Sequence, residues 1–205
     1  MIRLIGFYDY TVILTYLSVI SAVSGMVHAS RGAFTAAIIR LIFSGVCDMF
    51  DGTVARSKKN RTPDEKSFGI QIDSLCDVIS FGVFPVMLCY FMGMSRWIGR
   101  AILALYILGA VTRLGFFNVL EINRQKTEDG TNKYFRGMPV TMVSFFLPLA
   151  YLIGLMLPTR ANVAVIHVVM AAMAFLFVWD IRIPKYDLSK LFSPRKKERR
   201  RKSAA

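Results

Sequence analysis

Long apolar stretches separated by short polar segments run along the chain as far as residue 181. A helix needs about 20 apolar residues to cross a bilayer. Six stretches approach or exceed that length, at 10–28, 33–56, 67–93, 97–121, 138–157 and 162–181. A chain of 205 residues cannot bury so many apolar helices in a water-soluble core. The pattern predicts an all-α, polytopic membrane bundle of six transmembrane helices.

The distribution of Lys and Arg gives this bundle an orientation. If both termini share one side, that side holds twenty basic residues and the opposite side holds four, namely Arg31, Arg96, Arg100 and Arg160. The side richer in basic residues is normally cytoplasmic. We therefore expect a multi-pass protein of the cell membrane, with a transmembrane domain at 1–182, a basic tail at 183–205, and both termini in the cytoplasm.

The net charge of +13 raises the question of a nucleic-acid partner. Ten of the 26 Lys and Arg residues lie between Arg182 and Lys202. A basic tail that directly follows a membrane span more often binds anionic lipid headgroups. Membrane lipids, and no nucleic acid, are the predicted partners of this tail.

Four Asp residues carry the candidate chemistry. Asp48 and Asp51 are one helical turn apart, and so are Asp73 and Asp77 on the next predicted helix. A polar loop joins these helices, so the four carboxylates are expected to converge at the cytoplasmic edge of the membrane. Acids at membrane depth are costly and are functional by default. Polar residues that only join helices are usually Ser, Thr, Asn or Gln, so a purely structural role is disfavoured.

The chemistry of these acids favours a divalent metal. Arg56 supplies one nearby positive charge, and cations must supply the rest. Ligands that are all oxygen favour Mg²⁺ or Mn²⁺ over zinc. Four carboxylates are enough to bracket two ions that hold a phosphoryl group. Gly52, Ala55 and Gly69 clear the same helix faces of side chains, which leaves room for a flat nucleotide.

The pattern Asp48-x-x-Asp51-Gly52-x-x-Ala55-Arg56, followed by Gly69-x-x-x-Asp73-x-x-x-Asp77, resembles the signature of the CDP-alcohol phosphotransferases. Six spans are also typical of that family. The run from Asp73 to Pro85, with Ser74, Ser80, Phe81 and Gly82, is similar to the branch that uses serine as acceptor. The resemblance implies that CDP-diacylglycerol and L-serine are converted to phosphatidylserine and CMP, by an enzyme that is commonly a homodimer.

The resemblance also implies residue roles. The implied metal ligands are Asp48, Asp51, Asp73 and Asp77, with Asp77 as the general base. The implied contacts to the CDP-lipid are Asp48, Asp51, Gly52, Ala55, Arg56 and Gly69. Arg113 and Asn118, in the fourth predicted span, are candidates for binding the acceptor.

Two alternatives remain open at this point. A sister transferase would use inositol, an inositol phosphate or glycerol phosphate as acceptor. A phosphorylated acceptor would need further Lys or Arg near the site, and Arg113 is the only obvious buried candidate. A divalent-cation transporter would instead spread its acids across the membrane and break its helices at the midplane. Clustering of the acids at one edge favours the transferase.

Overall fold

The structure is a computed structural model that describes residues 6–7, 10–58, 62–126, 134–180 and 182–184. Within these ranges, the side chains of residues 11, 55–57, 124–126, 134–136 and 182–184 are not described. The predicted basic tail, 183–205, therefore lies almost wholly outside the described residues. The same is true of the first five residues, on which part of the predicted orientation depends.

The described chain forms a helical bundle. Its α-helices are α1 Ile13–Ser30, α2 Phe34–Ser57, α3 Pro63–Asp77, α4 Phe84–Phe91, α5 Trp97–Lys126, α6 Val143–Gly154 and α7 Thr159–Val178. A π-helix, Val78–Val83, joins α3 to α4, and 3₁₀ turns precede α1 at Tyr10–Val12 and α6 at Val140–Met142. Counting α3, the π-helix and α4 as one rod gives the six helical segments predicted from the sequence.

Helices α1 and α2 form an antiparallel pair whose backbones approach closely. The Ser44 hydroxyl donates to the Ser18 carbonyl over 3.0 Å, and the Ser21 hydroxyl donates to the Arg40 carbonyl over the same distance. Small residues allow such close approach, and their hydroxyl groups bond across the helices. Gly25 on α1 has the same effect, because a Cβ there would overlap the Phe84 ring of α4.

Large apolar side chains fill the bundle where α4, α5, α6 and α7 meet. The largest fully buried ones include Phe81, Phe84, Leu88, Tyr106, Leu147, Met170 and Phe177. The outer surface is apolar as well, with exposed residues such as Leu105, Leu152, Met156 and Phe175. A helix is expected to be apolar on its inward and its outward face when lipid, rather than water, surrounds the bundle.

Four of the helical segments are long and apolar enough to cross a membrane: Ile13–Ser30, Pro63–Phe91, Trp97–Asn123 and Thr159–Val178. The chain is therefore a multi-pass membrane protein. The other two predicted spans differ from these for physical reasons. Helix α2 has 24 residues but carries Arg40 and two of the acids, whereas Val140–Gly154 is shorter than a typical span.

A short two-stranded ladder lies outside the bundle, in a chain predicted to be all-α. Strand β1 is Tyr134–Arg136 and strand β2 is Arg182–Pro184; they pair antiparallel with Phe135 opposite Ile183. The predicted boundary between residues 182 and 183 falls inside β2. The ladder ties the segment after α7 to the connection between α5 and α6.

Candidate active site

Two helices bring the predicted acids together. Asp48 and Asp51 lie in the second half of α2, whereas Asp73 and Asp77 lie in the last two turns of α3. Residues three or four apart share one face of a helix, so each helix presents a pair of carboxylates. Helix α1 packs against α2 and also contacts α3, which holds the two acidic faces at one place in the bundle.

The carboxylates are within reach of one another. One oxygen each from Asp48, Asp73 and Asp77 all lie within 4.8 Å of each other. The Asp51 carboxylate lies close to those of Asp48 and Asp73. Asp51 also accepts a 3.4 Å hydrogen bond from the Thr15 hydroxyl of α1. The four acids predicted from sequence spacing thus form one cluster.

The donor set fits a hard divalent cation. The three converging groups are carboxylates, and oxygen ligands are those that Mg²⁺ and Mn²⁺ prefer. Like charges packed at this separation repel one another strongly in a medium of low polarity. A bound cation removes that repulsion, so Asp48, Asp73 and Asp77 could hold a divalent metal.

The start of α3 is defined by local hydrogen bonds. The Thr62 hydroxyl accepts from the Glu65 amide over 3.2 Å, and the Thr62 amide donates to the Glu65 carboxylate over 2.8 Å. Pro63 occupies the first turn, where its missing N–H costs nothing. The same Glu65 carboxylate forms a 3.1 Å ion pair with Lys58, just past the end of α2. These contacts position α3 relative to α2.

The residues predicted to contact the nucleotide flank the cluster. Gly52 follows Asp51 directly on α2, and Gly69 is one turn before Asp73 on α3. Both glycines are half-buried. Ala55 and Arg56 belong to the last turns of α2, but their side chains lie outside the described part of the structure.

The two candidate acceptor residues on α5 have different partners. Ser74, between Asp73 and Asp77 in sequence, donates a 2.6 Å hydrogen bond to the amide oxygen of Asn118. Asn118 is thereby fixed to the acid-bearing helix. Arg113 is buried, and its Nε and Nη2 atoms donate to the carbonyls of Met138 and Gly137 over 3.2 and 3.4 Å. Its guanidinium also lies 5.6 Å from the centre of the Phe117 ring.

Sequence analysis did not predict several polar contacts of the helices that carry this cluster. Thr15 bonds Asp51, the Ser18 hydroxyl donates to Ser80 over 3.0 Å, and the Tyr106 hydroxyl donates to the Phe81 carbonyl over 2.6 Å. The members of each pair are at least 25 residues apart in sequence, so local spacing carries no signal for them. A weaker signal existed in Pro85, because a proline inside an apolar helix must release the carbonyl four residues earlier.

Comparison with known proteins identifies relatives of the whole bundle. The chain is 33% identical to an archaetidylserine synthase of Methanothermobacter thermautotrophicus over 175 residues, which are 83% of this chain and 69% of that protein. It is 36% identical over 113 residues to a CDP-diacylglycerol–serine O-phosphatidyltransferase of Saccharomyces cerevisiae (54% and 40% of the two chains). A Helicobacter pylori protein of the same name is 30% identical over 148 residues (71% and 58%).

Coverage of these relatives is unequal, since the chain spans about two thirds of the first and well under half of the yeast protein. No solved structure matches the chain. Residues 10–179, which include all seven α-helices, match the CDP-alcohol phosphatidyltransferase family. This match spans every acid of the cluster. The chain belongs to the CDP-alcohol phosphatidyltransferase family, as its Asp signature predicts.

Proposed function

We propose that the protein transfers the phosphatidyl group of CDP-diacylglycerol to L-serine, forming phosphatidylserine and CMP. The observation that carries this proposal is the convergence of Asp48, Asp73 and Asp77 within 4.8 Å, in a chain that belongs to a family of phosphatidyltransferases. The names of the three relatives described above all contain serine. Family membership also favours a transferase over a cation transporter.

The acid cluster would hold the metal. Its ligands would be Asp48, Asp51, Asp73 and Asp77, and we propose two ions of Mg²⁺ or Mn²⁺. Bound metal would neutralise the donor diphosphate and stabilise the leaving phosphate of CMP. Gly52, Ala55, Arg56 and Gly69 bind the cytidine and diphosphate beside the acids, together with Asp48 and Asp51.

Asp77 acts as the general base. A serine hydroxyl is a weak nucleophile until a base takes its proton. Asp77 accepts that proton while the serine oxygen attacks the phosphorus that bears the lipid. The bond from this phosphorus to the CMP oxygen breaks, and CMP leaves with the electron pair. Positioning of the two substrates supplies much of the rate enhancement.

Asn118 and Arg113 form the acceptor side. The Asn118 amide oxygen is taken by Ser74, so its NH₂ group remains to donate to the serine carboxylate. Arg113 has five N–H groups, of which the two carbonyl contacts use two. The remaining three can bind the same carboxylate, and the backbone contacts hold the guanidinium in place.

An acceptor panel tests the proposal. Purified protein is incubated with CDP-diacylglycerol, Mn²⁺ and one of L-serine, myo-inositol, inositol phosphate or glycerol 3-phosphate, and CMP release is measured. L-Serine is expected to give the fastest release. A faster rate with inositol, inositol phosphate or glycerol 3-phosphate would assign the chain to a sister transferase. A second panel compares CDP-diacylglycerol with its archaetidyl counterpart, because the names of the relatives differ in the lipid.

We further propose that all six segments cross the cell membrane, with the cluster at its cytoplasmic edge and both termini in the cytoplasm. The excess of basic residues on one side supports this orientation. A reporter that is active only in the cytoplasm, fused after residue 205, tests it.

We also propose a homodimer, which the mass of the protein in lipid nanodiscs would reveal.

A further inference from the structure

The π-helix Val78–Val83 begins at the residue that follows Asp77. The Phe84 amide donates to the Ile79 carbonyl, five residues earlier, instead of the four that an α-helix uses. An α-helix turns by about 100° per residue, so the extra residue rotates everything after the π-helix relative to everything before it. The π-helix therefore changes the direction in which the core residues of α4 face relative to the acids of α3.

Pro85 gives the physical reason for this break. In a continuous α-helix the Pro85 nitrogen would donate to the Phe81 carbonyl, but proline has no N–H and its ring clashes with that carbonyl. The Phe81 carbonyl is thus left without its helical donor. Phe81 is fully buried, and an unsatisfied carbonyl in such a place is costly.

Tyr106 supplies the missing donor. Its hydroxyl, from α5, donates to the Phe81 carbonyl over 2.6 Å, and its side chain is completely buried. The Tyr106 ring packs on Phe177 of α7 with ring centres 5.2 Å apart, so the hydroxyl is held by two helices. Gly82 lets α5 come close, because a Cβ there would meet the Ile107 side chain at 2.7 Å.

A second contact, from α1, holds the same π-helix. The Ser18 hydroxyl of α1 donates to the Ser80 hydroxyl over 3.0 Å. Thr15, one turn away on α1, bonds Asp51 of the cluster. Helices α1 and α5 thus hold the segment within one turn of Asp77.

We propose that Tyr106 is a positioning residue for the reaction: by binding the Phe81 carbonyl it maintains the π-helix and thereby holds Asp77 against Asp48. This inference rests on the proposed function of the cluster. It assigns a positioning role to a residue that lies outside the acid cluster and contacts Phe81 and Phe177. Loss of a residue that orients metal ligands typically weakens metal affinity by about 10- to 100-fold.

The test compares Tyr106→Phe with Tyr151→Phe. Tyr151 is a matched control, since its hydroxyl also makes a 2.7 Å hydrogen bond inside the bundle, to Thr35 near the start of α2. Mn²⁺ affinity is measured by electron paramagnetic resonance of free Mn²⁺, alongside melting temperature, kcat and the KM for CDP-diacylglycerol. Tyr106→Phe is expected to weaken Mn²⁺ affinity about tenfold and to lower kcat more than it changes KM. Tyr151→Phe is expected to lower the melting temperature alone.

A double variant separates positioning from stability. Pro85→Ala returns a peptide N–H four residues after Phe81, so the carbonyl can be satisfied within a continuous α-helix. In the Tyr106→Phe background this change is expected to restore melting temperature while Mn²⁺ affinity and kcat stay low, because the π-helix is lost. Recovery of affinity and kcat together with stability would overturn the inference. Wild-type values of Mn²⁺ affinity and kcat for Tyr106→Phe would overturn it as well.

The two proposals fail in different ways. Wild-type protein that binds no Mn²⁺ refutes the cation site, and a fall in kcat for Tyr106→Phe would then still support its positioning role. Wild-type protein that neither binds Mn²⁺ nor releases CMP refutes both. Normal wild-type binding and turnover, unchanged in Tyr106→Phe, refute only the role of Tyr106.

Discussion

The bundle buries charge in two regions that solve the same electrostatic problem differently. Around Arg113, the protein itself supplies the partners, because backbone carbonyls and the Phe117 ring surround the guanidinium. Around Asp77, the described charged groups that converge on its carboxylate are those of Asp48 and Asp73. The first arrangement lowers the cost of burial, whereas the second raises it.

This difference separates a charge whose partners the protein supplies from charges that need a cation from outside the chain. Arg113 fastens the turn before α6 to α5, through Gly137, whose φ of 70° favours glycine. The Asp cluster packs like charges together, which destabilises the fold unless a cation neutralises them. We infer that this cluster of like charges serves to bind a group of opposite charge.

Removal of divalent metal should have the largest effect. EDTA is expected to reduce CMP release to background, and Mg²⁺ or Mn²⁺ to restore it, whereas Zn²⁺ restores it poorly because the ligands are all oxygen. Asp73→Asn should act in the same direction. Asp64→Asn, the same change on an exposed residue in the first turn of α3, is the control and should retain activity. Full turnover in chelated buffer would show that the acids need no divalent cation, and the contrast between the two regions would not hold.

Asp77→Asn should separate binding from chemistry within the cluster. The amide keeps the shape of the side chain but cannot take the serine proton, so we expect turnover to fall by about 10²-fold or more. Donor affinity, measured by calorimetry, should change much less. Asp51→Asn should instead weaken donor and metal binding together, because Asp51 adjoins Gly52. Turnover close to wild type in Asp77→Asn would show that another group accepts the proton.

Arg113→Lys tests the other region. Lysine keeps the charge but loses the planar fork, so the KM for serine is expected to rise about tenfold. The melting temperature should also fall, because two hydrogen bonds to buried carbonyls are lost. Asn118→Ala should raise the KM for serine with a smaller effect on stability. A lower melting temperature with an unchanged KM in Arg113→Lys would make Arg113 purely structural.

Local sequence patterns were sufficient to predict the six helical segments and the acid cluster. Apolar length identifies a span without knowledge of its neighbours, and spacings of three and four residues put acids on one helix face whatever the tertiary structure. Asp48, Asp51, Asp73 and Asp77 met both conditions. Their convergence followed from one short loop between two helices.

Contacts between distant helices were beyond the reach of these patterns. The pairing of Tyr106 with Phe81 depends on how α5 crosses the π-helix, and the pairing of Thr15 with Asp51 depends on the register of α1 against α2. The apolar pattern predicts one continuous helix at 67–93, whereas the structure has the π-helix Val78–Val83 within it. The ladder of β1 and β2 joins segments 48 residues apart along the chain, and neither segment has a strand-like pattern of its own.

Thr62→Ala should produce the smallest effect, on stability rather than on chemistry. Its hydroxyl caps α3 at the Glu65 amide, and replacement of a threonine cap by alanine costs about 1 kcal/mol of folding free energy. Asp73 lies three turns further along α3, so the carboxylates should stay in place and CMP release should change by no more than about twofold, the scale of a surface substitution. Thr159→Ala is the matched control, because α7 begins without a side-chain cap; it should leave the melting temperature nearly unchanged. A large loss of turnover in Thr62→Ala would mean that the start of α3 governs the geometry of the cluster. The start of α3 would then belong to the reacting part of the molecule as well as to the part that stabilises the fold.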